Sequence, residues 1–239
     1  MAAGVATALR FRKTGLLAVW GLAIGLAACT LPPFPAAPPP VVAAGESPAA
    51  AYRRLADAGR PVWRVDPAAS LIVAEVGRAG PLARLGHDHV VAAHAVTGYV
   101  APEDGRADLE IALADLAVDE PELRAAAGFE SQPGAEAIAG TRRNMLDKVF
   151  DAERFPRVGV RIDRPAAGDG FRVHITLRGT TREFSVPVVL EPISGGLRAT
   201  GRLSLLQSDF GIVPFAVLGG ALQVRDRVDL RFDIRTQPP

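Results

Sequence analysis

Three of the four histidines fall in one stretch, Gly86-His87-Asp88-His89-Val90-Val91-Ala92-Ala93-His94. In a strand, His87 and His89 point to one face and His94 to the other unless a bulge intervenes. Imidazoles at i and i+2 can converge on one metal ion. The spacing supplies no third ligand, and Asp88 faces away from the pair. Two other chemistries suit the same residues. Gly86 can open a tight turn whose imidazoles bond a loop or face solvent, or the rings can contact a ligand head group or exchange protons with it. Ser208-Asp209 is the remaining pair with nucleophilic chemistry. A triad also needs a base held by a third group and an oxyanion hole, and the sequence offers neither. Ser208-Asp209 is therefore expected to be a local turn bonded to nearby backbone N–H groups. Gly-x-Ser-x-Gly, Gly-x-Gly-x-x-Gly and His-Glu-x-x-His are all missing, as is a phosphate-cradling loop. We expect no enzyme and no resident cofactor; metal at His87 and His89 is the alternative.

The single cysteine, Cys29, excludes an intrachain disulfide and a thiolate-built metal site. It follows a basic segment with Arg10, Arg12 and Lys13 and an apolar run from Thr14 to Leu26. That run would span about 20 Å as a helix, short of a hydrocarbon core. It reads as a secretory leader. Its end, Leu26-Ala27-Ala28-Cys29, resembles the bacterial lipoprotein lipobox, which implies acylation of Cys29 and membrane attachment through acyl chains. Thr30, rather than Asp, after the cysteine favours the outer membrane over the inner. The chain holds 27 Lys+Arg and 26 Asp+Glu. Residues 1–28 contain three of the cations and no acid, so the remainder carries 24 against 26 and a net charge of −2. Nothing in this balance supports nucleic-acid binding. Residues 29–61 are read as the lipidated N-terminus and a tether, with Pro32-Pro33 and Pro38-Pro39-Pro40 keeping it extended. A short helix is expected over 49–59, and the folded domain from Val62 to Pro239.

Beyond Val62 the pattern has period two. Phe171, Val173, Ile175 and Leu177 alternate with polar residues, as do Leu203 and Leu205, then Leu230 and Phe232. Leu109, Ile111 and Leu113 repeat the theme, and so do Val158, Val160 and Ile162. Such alternation marks strands with one apolar face. Two helices interrupt it: a short one capped by Asp119 with Glu122 in a capping box, and one over 135–150 with Ile138, Met145, Leu146 and Val149 on one side. About eight strands with one or two helices predict an antiparallel barrel or sandwich.

Five segments are similar to the YceI-like family: Trp63-Arg64-Val65-Asp66-Pro67-Ala68-Ala69-Ser70; Arg142 to Leu146 followed by Phe150 to Pro156; Leu177-Arg178-Gly179-Thr180-Thr181-Arg182; Ser208-Asp209-Phe210-Gly211-Ile212; and Val224 to Ile234. The resemblance covers Val62 to Arg235. It implies a lipocalin-like barrel whose interior, rather than a catalytic cluster, takes an isoprenoid lipid. The alternating residues named above then become the ligand-binding wall, and burial against them contributes about 25 cal/mol per Å². Arg142 and Arg143 on the expected helix could meet a pyrophosphate or acidic head group at the barrel mouth, or serve as solvated charge. The histidine cluster departs from the general family pattern. The expected protein is a periplasm-facing lipoprotein that binds or carries an isoprenoid or quinone-like lipid. A metal-binding or stress-related protein and a structural envelope protein with a filled barrel are the rivals.

Overall fold

The structure, a computed structural model, describes residues 47–164 and 170–238. The expected leader, Cys29, most of the Pro/Ala-rich segment and residues 165–169 and 239 lie outside these residues. Among the described residues no helix is long and apolar enough to cross a membrane.

The elements follow the period of the sequence. Helix α1 (Pro48–Asp57) opens with Ser47, whose hydroxyl accepts from the Ala50 N–H, and with proline at its first position. The strands are β1 (Trp63–Val65), β2 (Leu71–Ala79), β3 (His89–Ala93), β4 (Val96–Ala101), β5 (Arg106–Ala112) and β6 (Ala117–Val118). Helices α2 (Pro121–Ala126) and α3 (Ala135–Asn144) follow, and α3 runs into a π-helical turn, Met145–Phe150. The second half holds β7 (Arg157–Asp163), β8 (Phe171–Leu177), β9 (Thr180–Val186), β10 (Val188–Ile193), β11 (Gly196–Leu206), β12 (Ala216–Val217) and β13 (Leu222–Gln237).

All pairings are antiparallel, in the order β6-β3-β2-β13-β1-β4-β5-β7-β8-β9, with β11 on the other edge of β13 and β10 beside β11. Among the described residues there are thirteen strands rather than about eight. β1, β6 and β12 are too short to show a period, and Pro187, which has no N–H to give a ladder, separates β9 from β10. The ladder does not pair β6 with β9. The core is instead formed between two ladders, with Val173, Ile175 and Val186 on one side meeting Leu205 and Val228 on the other.

Bends carry the chain from one ladder to the other. At the first, Asp66 Oδ1 accepts from the Ala68 N–H at 3.0 Å, and the Ser70 hydroxyl accepts from the Arg235 N–H at 3.0 Å. These bonds explain the Asp-Pro turn and serine in the opening segment. The β8–β9 hairpin turns on Arg178 (φ 50°) and Gly179 (φ 74°), both left-handed, as a two-residue hairpin loop requires. In β11 the alternation skips Gly201, because a Cβ there would lie 2.5 Å from the Phe232 ring.

Three further expectations change. First, the folded unit begins before Val62. Tyr52 of α1 is 1 % exposed, stacks on Tyr99 with ring centroids 5.3 Å apart, and donates to Asp108 at 3.0 Å. Helix α1, expected to lie outside the folded domain, therefore packs with the strands, since an aromatic with a buried partner docks its helix. Second, Asp119 does not cap α2. Its φ is 57°, Glu120 occupies the cap position without a side-chain bond, and Asp119 is buried at 1 % exposure. Third, Ser208 bonds Asp226 through both its hydroxyl, at 2.5 Å, and its N–H, at 2.8 Å, so the turn is pinned across the fold instead of locally.

Candidate functional site

The two ladders enclose an apolar cavity of about 470 Å³. The inward positions of the alternating strands make its wall. Leu109 and Ile111 of β5, with Leu113 just beyond it, face Val158, Val160 and Ile162 of β7 along one side. Phe171, Val173, Ile175 and Leu177 of β8 continue that side. Leu203 and Leu205 of β11 and Leu230 and Phe232 of β13 belong to the other. The structure thus places every residue of the expected apolar wall at the cavity.

β2 and β3 add residues beyond that expected wall. Ile72, Ala74 and Val76 line the cavity from β2, where Leu71 and the buried Val73 on the other face make the run continuously apolar. Val91 and Ala93 line it from β3, whose outward Val90 and Ala92 are also buried, at 1 % exposure each. A strand covered on both faces reads as a continuous apolar run and hides its period. Met145, Val149 and Phe150 of the π-helical turn also line the cavity.

Arg142 and Arg143 are not at the cavity. The Arg142 guanidinium donates to the backbone carbonyls of Leu116, at 3.4 Å, and Ala114, fastening α3 to the segment before β6. Arg143 is exposed on α3. The head-group role expected for this pair is therefore not supported by their positions. The cations that do reach the wall are Arg106, engaged with Asp108, and Arg164, whose guanidinium lies over the Phe171 ring at 5.3 Å.

The histidines separate. His87 precedes β3 and is exposed, with its ring centroid 6.4 Å from that of His89. His94 reaches Glu120 at 2.7 Å on the surface. His89 opens β3, and its ring lines the cavity. Among the described residues no three or more His, Cys, Asp or Glu side chains are grouped to hold a metal ion. Gly86 and Asp88 instead tie the preceding turn to β2: Asp88 Oδ1 accepts from the Arg78 N–H at 2.9 Å, and the Arg78 guanidinium donates to the Gly86 carbonyl at 2.7 Å.

Behind His89 sits a buried polar cluster. His89 Nδ1 lies 2.7 Å from Asp119 Oδ2, while Asp119 Oδ1 accepts from the Val90 N–H at 3.0 Å and from Arg124 at 2.6 Å. Arg124 also donates to the carbonyls of Asp88, at 2.5 Å, and Ser131, at 3.0 Å. Burial pushes the Asp119 carboxyl up, but the bonds from His89, Val90 and Arg124 together hold it below the usual carboxylate range.

An antiparallel β-fold around an apolar cavity is the architecture that holds one small hydrophobic ligand. Residues 63–236 match the YceI-like domain, and the chain belongs to that family. Among solved structures it is similar to a polyisoprenoid binding domain from Saccharophagus degradans implicated in plant cell wall breakdown, at 12 % identity and a TM-score of 0.53, over 74 % of this chain and 98 % of that one. It is also similar to BcnA from Burkholderia cenocepacia, at 18 % identity and a TM-score of 0.49, over 72 % and 98 %. No curated protein matches the chain.

Proposed function

We propose that this protein binds or carries an apolar isoprenoid or quinone-like lipid in its cavity, without chemistry, as a periplasm-facing lipoprotein of the bacterial envelope. One observation carries the reading: the cavity of about 470 Å³ has an almost wholly aliphatic and aromatic wall. Such a wall rewards removal of hydrocarbon from water at about 25 cal/mol per Å² and offers few partners to a polar substrate. The family membership and the polyisoprenoid-binding name of the Saccharophagus domain support the same ligand class. A cavity of this size weighs against a filled structural barrel. The separation of His87, His89 and His94 weighs against the histidine metal centre. Attachment rests on Cys29, outside the described residues, and the outer membrane is favoured by Thr30.

Native mass spectrometry of protein purified from a lipid-containing host tests the binding. The expected spectrum carries lipid, or gains it on addition of a prenyl lipid, and Ala74→Trp, which fills the wall, abolishes the uptake. A bare polypeptide mass before and after addition overturns the reading. Cys29→Ala should move the protein from the membrane to the soluble fraction.

A further inference from the structure

The apolar wall is interrupted by a few polar side chains, and three of them are held by hydrogen bonds within the fold. The Gln207 amide donates to the Arg225 carbonyl at 2.7 Å, Thr236 Oγ1 accepts from the Leu197 N–H at 2.8 Å, and Arg106 is held by Asp108 at 3.0 Å. Thr141 and Asn144 of α3 reach the wall with no side-chain hydrogen bond among the described residues to fix them. His89 is different. Its Nδ1 is bonded to a carboxylate that is fully buried, and that carboxylate is paired with an arginine whose side chain is 2 % exposed.

An ionised carboxylate only accepts hydrogen bonds, so Nδ1 carries the ring hydrogen. Whenever the ring carries no second proton, Nε2 is then an acceptor, and no hydrogen bond to it is found among the described residues. A buried ion pair is often no more stable than apolar residues of the same volume. Here its geometry has a distinct consequence: it fixes the tautomer and orientation of a ring on the cavity wall.

We propose that His89 anchors the head of the bound lipid, Nε2 accepting a hydrogen bond from a terminal hydroxyl, so that the favoured ligands are O–H-bearing lipids such as prenyl alcohols and quinols. This rests on the lipid-binding reading and adds the end-group that the cavity selects. Asp119 is the positioning residue, acting through the ring, and Arg124 keeps Asp119 ionised. The apolar chain of the ligand lies along the strands, and its hydroxyl meets a wall nitrogen whose direction Asp119 sets and whose accepting position is open.

The test uses the full chain and two competitors of a bound polyene fluorophore: geranylgeraniol, and the hydrocarbon in which a methyl group replaces its hydroxyl. Selectivity for the alcohol over the hydrocarbon should fall roughly three- to tenfold in His89→Phe, the range of one net hydrogen bond, with hydrocarbon affinity retained. In the wild-type chain, the ¹⁵N resonance of His89 Nε2 should shift on addition of the alcohol and stay in place with the hydrocarbon. That measurement holds even where His89→Phe does not fold. Unchanged selectivity in His89→Phe, or an unmoved Nε2 resonance while the alcohol binds, overturns the anchor and leaves the lipid-binding reading standing. Stronger capture of geranylgeranyl phosphate than of the alcohol, lost in His89→Phe, overturns the acceptor role. Failure of the wild type to bind either competitor removes both the anchor and the lipid-binding reading.

Discussion

Asp108 and Asp119 are both buried carboxylates that face arginine and one ring, yet they sit on different ladders, one on β5 and the other beside β3 and β6. Asp108 lies on the outer face of β5, 7 % exposed, beneath α1. It accepts from Tyr52, Arg106 and Arg161, and the two arginine side chains are 33 % and 55 % exposed. Burial, reinforced by Asp108, pushes the Tyr52 phenol well up, so the hydroxyl stays protonated and donates. Asp119 lies behind the cavity wall, and its arginine is buried with it. Solvent screens the first cluster and is excluded from the second. The first fastens an added helix, while the second orients a wall residue. The same side-chain chemistry thus gives a peripheral clamp in one place and a rigid internal support in the other, and water access makes the difference.

The comparison is broken most severely at Arg124. Arg124→Ala leaves Asp119 charged and uncompensated, and should lower stability by about 3–5 kcal/mol, read from the urea midpoint. Acid sharpens the same point. The Asp119 carboxyl is depressed in the fold, so its contribution is fully present above its unfolded value of about 3.9 and is lost as pH falls through the lower folded value. The difference in stability between wild type and Asp119→Asn should therefore shrink below about pH 4; a difference independent of pH down to acid unfolding would show that the charge contributes nothing.

Asp108→Ala should cost less, about 1–3 kcal/mol, because its arginines can turn to solvent. Its effect should be local: tryptic nicking within α1 rises while the sheet amides keep their hydrogen-exchange protection. Tyr52→Phe, which removes one bond and leaves two arginines on Asp108, should cost about 0.5–1.5 kcal/mol. The smallest change is expected at the exposed His94–Glu120 pair, where His94→Ala should shift stability by less than about 0.5 kcal/mol. A large loss there would mean that water access is not what separates these clusters.

Much of the cavity was legible before the structure. On β5, β7, β8, β11 and β13 the side-chain period assigns each apolar residue to one face, and one face is the cavity. β3 was not legible, because Val90 and Ala92 are covered on the outside as Val91 and Ala93 are on the inside. Asp119, followed by Glu122, carried the local signature of a helix cap; its left-handed backbone and its bonds to β3 overrode that signature. Arg142 and Arg143 looked like head-group ligands because a guanidinium fork suits phosphate, but Arg142 is spent on two backbone carbonyls.

By itself, then, the sequence determined the antiparallel β class, the inward-facing aliphatic set and the helix over 135–150 with its apolar side, because these depend on local periods of two and 3.6. Only the tertiary structure decided that α1 belongs to the folded unit, that the histidines part company, and that His89 alone reaches the cavity on a charged support. The contacts responsible join residues 56 apart at Tyr52–Asp108 and 30 apart at His89–Asp119. No local pattern encodes which distant carboxylate will meet which ring; that follows from how the strands bend from one ladder to the other.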